Sequence, residues 1–198
     1  MIRVVLFDFG GVIAEEGFYQ GLRVIAEKSG LEADTFIRTA EDLIHRMGYV
    51  TGRATEEEYW AAVREKTGIT QADVYLREQI FARFVVRPGM LAHADKLRAS
   101  GRKVGILSDQ TDWLDELNRR SPFYGHFDRV YNSYTLRKSK RDATVFADIC
   151  RDLAVAADEV LFVDDNIHNV TRAASVGLLT IHFVDAEQFA RALEGFGL

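Results

Sequence analysis

Arg3-Val-Val-Leu-Phe-Asp-Phe-Gly-Gly-Val-Ile13 is the stretch whose reading decides the fold. Val4 to Phe7 is apolar at every position, which predicts a strand covered on both faces, as in a parallel sheet packed between helices. The run stops at Asp8. Gly10-Gly11 follow, a pair that ends a strand and lets backbone amides approach a ligand closely. The carboxyl end of such a strand is where open α/β sheets keep their ligand sites. On this stretch alone, Asp8 reads equally as a turn residue after a buried strand and as a catalytic carboxylate.

From Glu16 to about Arg83 the apolar residues recur at helical spacing, with no strand pattern. Thr55-Glu-Glu-Glu58 is a capping box, and Thr67-Gly68 stops the helix it starts. The aromatic residues Phe18, Phe36, Tyr59, Trp60 and Phe81 are expected in the core, with some open to lining a substrate pocket. Arg87-Pro-Gly89 closes this block. Helix and strand patterns then alternate: strands over 103–107, 129–132, 160–163 and 179–183, with helices over 90–99, 111–120, 143–153, 169–175 and 186–193. This order predicts an α/β fold, a doubly wound parallel sheet. The core domain is expected over 1–14 plus 87–198, with an all-α domain inserted over 15–86.

At 198 residues the chain buries roughly 70% of its unfolded surface and needs no staples. Its net charge of −5, with mixed signs, speaks against nucleic-acid partners. Cys150 is the only cysteine, so no disulfide forms within the chain, and a reducing, cytoplasmic setting is expected. No signal-like start and no segment long enough to span a membrane is expected. The five histidines make no zinc-ligand spacing. Oligomeric state is not legible.

The chemistry emerges when strand ends are compared. The first gives Asp8, the second Ser108-Asp109 and the 160–163 strand Asp164-Asp165, while Lys140 lies in the basic loop Arg137-Lys-Ser-Lys-Arg141. In a parallel sheet these ends share one edge. Three carboxylates together repel unless a cation joins them, and hard oxygen ligands suit Mg²⁺. A hydroxyl and an ammonium suit the other side of a phosphoryl group. Taken singly, Asp164-Asp165 also reads as a polar turn, Ser108 as a helix cap and Lys140 as part of a solvated surface.

The arrangement resembles the haloacid dehalogenase-like hydrolase superfamily over about residues 3 to 185, in the subclass with a small helical cap. Phe7-Asp-Phe-Gly-Gly-Val-Ile13 looks like its first motif, Ile106-Leu-Ser108 its second, Ser133 through Lys140 to Phe146 its third, and Phe162-Val-Asp-Asp-Asn166 with Asn169, Ala173 and Gly177 its fourth. The resemblance implies Asp8 as nucleophile, with Ser108 and Lys140 holding the phosphoryl group and Asp109 and Gly11 beside it. It also implies Mg²⁺ on Asp8, the Gly10 carbonyl, Asp164 and Asp165, with Asp165 the direct ligand of the pair.

Phosphatases of this superfamily often carry an acid/base Asp two residues after the nucleophile, where this chain has Gly10. Arg137 stands where Gly is usual, and Arg141 where Pro is usual. The resemblance thus implies a Mg²⁺-dependent phosphatase of a small phosphorylated metabolite, acting through an aspartyl-phosphate. The alternatives are a 2-haloacid dehalogenase and a catalytically weak phosphate-binding regulator. Glu15, Glu16 and Asp109 are the candidates for a substitute acid, and Arg46 and Arg53 are guesses for substrate contacts.

Overall fold

A computed structural model describes residues 1–198. One parallel sheet holds β1 (Val4–Phe7), β2 (Lys103–Ser108), β3 (Arg129–Asn132), β4 (Val160–Asp164) and β5 (Leu179–His182) in the order β3-β2-β1-β4-β5. Four helices, α1 (Gly17–Lys28), α2 (Ala33–Arg46), α3 (Glu56–Thr67) and α4 (Asp73–Phe81), are inserted between β1 and α5 (Pro88–Ala99). The later helices are α6 (Trp113–Arg120), α7 (Ser133–Leu136), α8 (Thr144–Leu153), α9 (Ile167–Ser175) and α10 (Ala186–Gly195). No helix is long and apolar enough to cross a membrane.

The central strand is apolar throughout because helices cover both its faces. Val5 and Phe7 pack in one cluster with Met90, Ala94 and Leu97 of α5 and Phe189 of α10. Val4 and Leu6 face the other way, onto Val145, Phe146 and Ile149 of α8. Each such side chain contributes about 1.5–3 kcal/mol on burial. The register sets Phe7 beside Val163 on one side and Ile106 on the other, so Asp8 leaves its strand level with Asp164.

The first cluster does not stop at the sheet. It runs into the helical block through Tyr49, Tyr59, Trp60 and Phe81. Trp113 of α6 joins them, stacked on Trp60 at 6.2 Å and edge-on to Tyr49 and Phe81, each at 5.7 Å. Phe36 is buried there too, whereas Phe18 is only partly buried.

Two chain crossings connect the block to the sheet, and they are stitched together. The Glu15 N–H donates to the Val85 carbonyl at 2.9 Å, and the Arg87 N–H to the Ile13 carbonyl at 2.8 Å. The Arg87 guanidinium grips both Glu15 oxygens, at 3.0 and 2.9 Å, and donates to the carbonyls of Gly11 and Val12. α7 is the one helix with no sequence forecast. It is a single turn, too short for a periodic signal, started by the Asn132 side chain accepting from the Tyr134 N–H.

Candidate active site

β1, β2 and β4 end on one edge, where Asp8 and Ser108 line a cleft of about 350 Å³ and Asp164 lies buried beside them. The Asp8 carboxylate is turned by its own loop, since Oδ1 accepts the Phe9 N–H at 2.7 Å. Its other oxygen, Oδ2, meets the Lys140 ammonium at 2.7 Å. Lys140 is 1% exposed and also donates to Asp164 Oδ2 at 2.6 Å. The basic loop is therefore not a solvated surface at Lys140, because this side chain turns inward between two carboxylates.

Asp164 is fully buried, and a turn in solvent does not describe it. The Asn166 N–H donates to its Oδ1 at 2.8 Å, and the Asn169 amide reaches both oxygens at 3.3 and 3.2 Å. α9 supplies these donors because Asn166 caps it, accepting from the His168 N–H. Asp165 lines the cleft beside them. It approaches the loop after Asp8 only because Gly11 has φ +81° and no Cβ; a Cβ there would lie 2.1 Å from Asp165 Oδ2.

Ser108 lines the cleft at 2% exposure and caps no helix, for Asp112 is the N-cap of α6 and the Trp113 N–H turns to the Thr111 hydroxyl. Asp109 lines the cleft too, but both its oxygens accept the Lys140 backbone N–H, at 2.9 and 3.1 Å. Its carboxylate holds the loop that carries the lysine, and a carboxylate so placed repels a phosphate dianion. Gly10 lines the cleft with its backbone.

Electrostatics set what this cluster can hold. Burial pushes the Asp8 carboxyl well above its ordinary range, opposed by Lys140 and reinforced by Asp164 and Asp165. Burial also raises Asp165, with Asp164 adding to it. Burial disfavours the Lys140 ammonium, but Asp164, Asp8 and Asp109 together outweigh that cost and raise its pKa. Oxygens of Asp8, Asp164 and Asp165 lie within 4.8 Å of one another. Three carboxylates against one ammonium leave two negative charges uncompensated, and an all-oxygen donor set of this kind fits Mg²⁺.

The walls hold residues that sequence reasoning named only in passing or missed. Glu16, Tyr19, Glu41 and His45 come from the helical block, and Arg141, His168 and Arg172 from the sheet side. Glu16 caps α1 through Oε2, which accepts the Tyr19 N–H at 2.8 Å. Burial, helped by Asp165, lifts its carboxyl to about 7. Arg141 reaches across to Glu41 at 3.1 Å. The guesses Arg46 and Arg53 are absent from the cleft lining, and Arg46 is an exposed partner of Asp42. Arginines of a helical block carry no sequence mark that separates a cleft wall from solvent.

The fold is shared with known proteins. Among curated proteins, the chain is 24% identical to drimenol cyclase drtB of Aspergillus calidoustus over 73% of its own length, although it spans only 28% of that protein. It is 23% identical to sesquiterpene phosphatase astK of Aspergillus oryzae, covering 93% of the chain and 81% of that protein. Among solved structures, a HAD family enzyme of Bacteroides thetaiotaomicron in complex with magnesium and inorganic phosphate superposes with a TM-score of 0.77, 21% identity and coverage of 97% and 99%. L-2-haloacid dehalogenase of Xanthobacter autotrophicus, with chloropropionic acid covalently bound, gives 0.67, 20% identity and coverage of 98% and 83%. At these identities the structural likenesses establish the fold. The family model for haloacid dehalogenase-like hydrolases matches residues 2–177, a span that holds Asp8, Ser108, Asp109, Lys140, Asp164 and Asp165, and the chain belongs to that family of hydrolases.

Proposed function

We propose that the chain is a Mg²⁺-dependent phosphatase acting on a small phosphorylated metabolite through an aspartyl-phosphate on Asp8, with residues 15–86 as its cap. The observation that carries this reading is the buried Asp8–Lys140–Asp164 chain, at 2.7 and 2.6 Å, beside the free carboxylate of Asp165. Asp8, the Gly10 carbonyl, Asp164 and Asp165 would hold the ion. When bound, it neutralises their excess charge and that of the phosphoryl oxygens.

The residues divide the work by what holds them. The Phe9 N–H fixes Asp8 so that one carboxylate oxygen presents to phosphorus. Ser108 and Lys140 receive phosphoryl oxygens and meet the charge that develops in transfer. Asp109 and Asn169 are positioning residues, one for the lysine loop and one for Asp164. The unpaired, buried Cys150 supports a cytoplasmic location.

The test is a panel of phosphate monoesters, assayed with Mg²⁺ and with EDTA, beside 2-chloropropionate. Phosphate release that needs Mg²⁺ and drops at least about 10³-fold in Asp8→Asn, with its melting temperature kept, is the expected outcome. Metal-independent halide release would replace the phosphatase reading by the dehalogenase one, and binding of phosphate without turnover would favour the regulatory reading.

A further inference from the structure

An alcohol leaving phosphorus needs a proton, and most acids in and around the cleft are already committed. Glu15 is gripped at both oxygens by Arg87, Asp109 by the Lys140 N–H, and Asp164 by Lys140 and Asn169. Lys140 itself lies between two carboxylates, and Asp165 belongs to the acidic cluster. Glu16 remains. Its Oε1 lies 3.8 Å from the point that a Cβ on Gly10 would take. That is about one bond length beyond the reach of an aspartate oxygen at position 10.

The packing shows why Glu16 lies there. The Phe84 ring comes within 3.3 Å of the missing Cβ of Gly10 and 2.5 Å of the missing Cβ of Gly17. Two glycines on either side of one ring let the start of α1 close on the nucleophile loop. The residue that caps α1 is Glu16, so its carboxylate is set over Gly10 by the same contact.

We infer that Glu16 is a catalytic residue of this hydrolase, the proton donor to the departing oxygen and then the base for water. This rests on the phosphatase reading. As Asp8 attacks, the ester P–O bond breaks, and the departing oxygen keeps its electron pair and takes the Glu16 proton. In the second half, the Glu16 carboxylate takes a proton from water as the water oxygen bonds to phosphorus. The P–O bond to Asp8 breaks, its electron pair returns to the Asp8 carboxylate, and inorganic phosphate leaves.

The experiment compares wild type, Glu16→Gln and Glu16→Asp on monoesters running from aryl to alkyl leaving groups. Gln keeps a carbonyl for the Tyr19 N–H, and melting temperatures report whether the fold is intact. In Glu16→Gln, kcat/KM for alkyl esters should fall about 10²-fold or more, while aryl esters, which leave without a proton, change only a few-fold. Radiolabelled phosphoenzyme should accumulate on Asp8 in the variant, because its hydrolysis has lost its base. Glu16→Asp should fall between, and it carries the test if Glu16→Gln does not fold. An Asp8-dependent enzyme whose leaving-group slope is the same with and without Glu16 overturns the inference alone. A wild type that hydrolyses no ester, or needs no Asp8, overturns the phosphatase reading and the inference together.

Discussion

Lys140, proposed to hold the phosphoryl group, is also a structural member of the site. Its ammonium is buried between Asp8 and Asp164, and each carboxylate is tolerated in the interior because the lysine is there. Removing one partner of a buried ion pair leaves an uncompensated charge, at a cost of about 3–5 kcal/mol. Lys140→Ala should lose about that much in urea unfolding at pH 7. The pH sign follows from Asp8, whose carboxyl is held above its ordinary range by burial even with the lysine present. A group with a raised folded pKa stabilises below its unfolded pKa and loses that contribution as pH rises. Without the lysine the rise is larger, so the deficit of Lys140→Ala should shrink as pH falls from 7 towards 4. A deficit that grows on acidification would refute this account of the pair.

At the scale of elements, the segment after α7 decides how the lysine loop meets the helical block. Arg137 ends α7 with φ +59°, a conformation that glycine adopts without steric cost. A left-handed residue with a side chain costs about 1–2 kcal/mol. The Arg137 guanidinium offsets that cost by donating to the carbonyls of Thr51 and Gly52 and lying over the Tyr134 ring. These contacts connect the loop to the turn at Tyr49–Thr51, and the Ser133 hydroxyl adds a 2.7 Å donation to the Val50 carbonyl. Arg137→Ala keeps the strain and loses the tie, whereas Arg137→Gly loses both. The glycine variant should therefore be the more stable of the two by about 1 kcal/mol, and chemical unfolding of both would show it. The reverse order would mean that the turn is unstrained.

For the whole molecule, the question is whether sheet and helical block are two cores or one. The apolar cluster on one face of the sheet continues through Trp113 into Tyr49, Trp60 and Phe81. A shared core transmits unfolding, so heat should melt the sheet and the block in a single transition. Trp113→Ala should cost about 3–5 kcal/mol and loosen the block first. Trp113→Phe should cost far less, since it keeps most of the packing and removes an indole N–H that has no partner among protein atoms. Two separate transitions in the wild type would show that the block is an independent unit.

The sequence by itself determined the strands, every α-helix except α7, and their order. Val4–Phe7 is a buried strand because both of its faces are apolar, and alternation after Pro88 could only be a parallel sheet with crossover helices. That order also brought Asp8, Ser108 and Asp164 to one edge before any coordinate was known, because strand ends in such a sheet are a property of topology. Only the tertiary structure decided which of several polar residues face the cleft. Nothing in Arg137-Lys-Ser-Lys-Arg141 distinguishes the buried Lys140 from the exposed Arg137, and Glu15 and Glu16 are chemically identical neighbours. Glu15 turns to Arg87, and Glu16 turns over Gly10. The difference lies in the direction a short linker takes past Phe84, which is set by contacts between residues about seventy positions apart, and no local pattern records it.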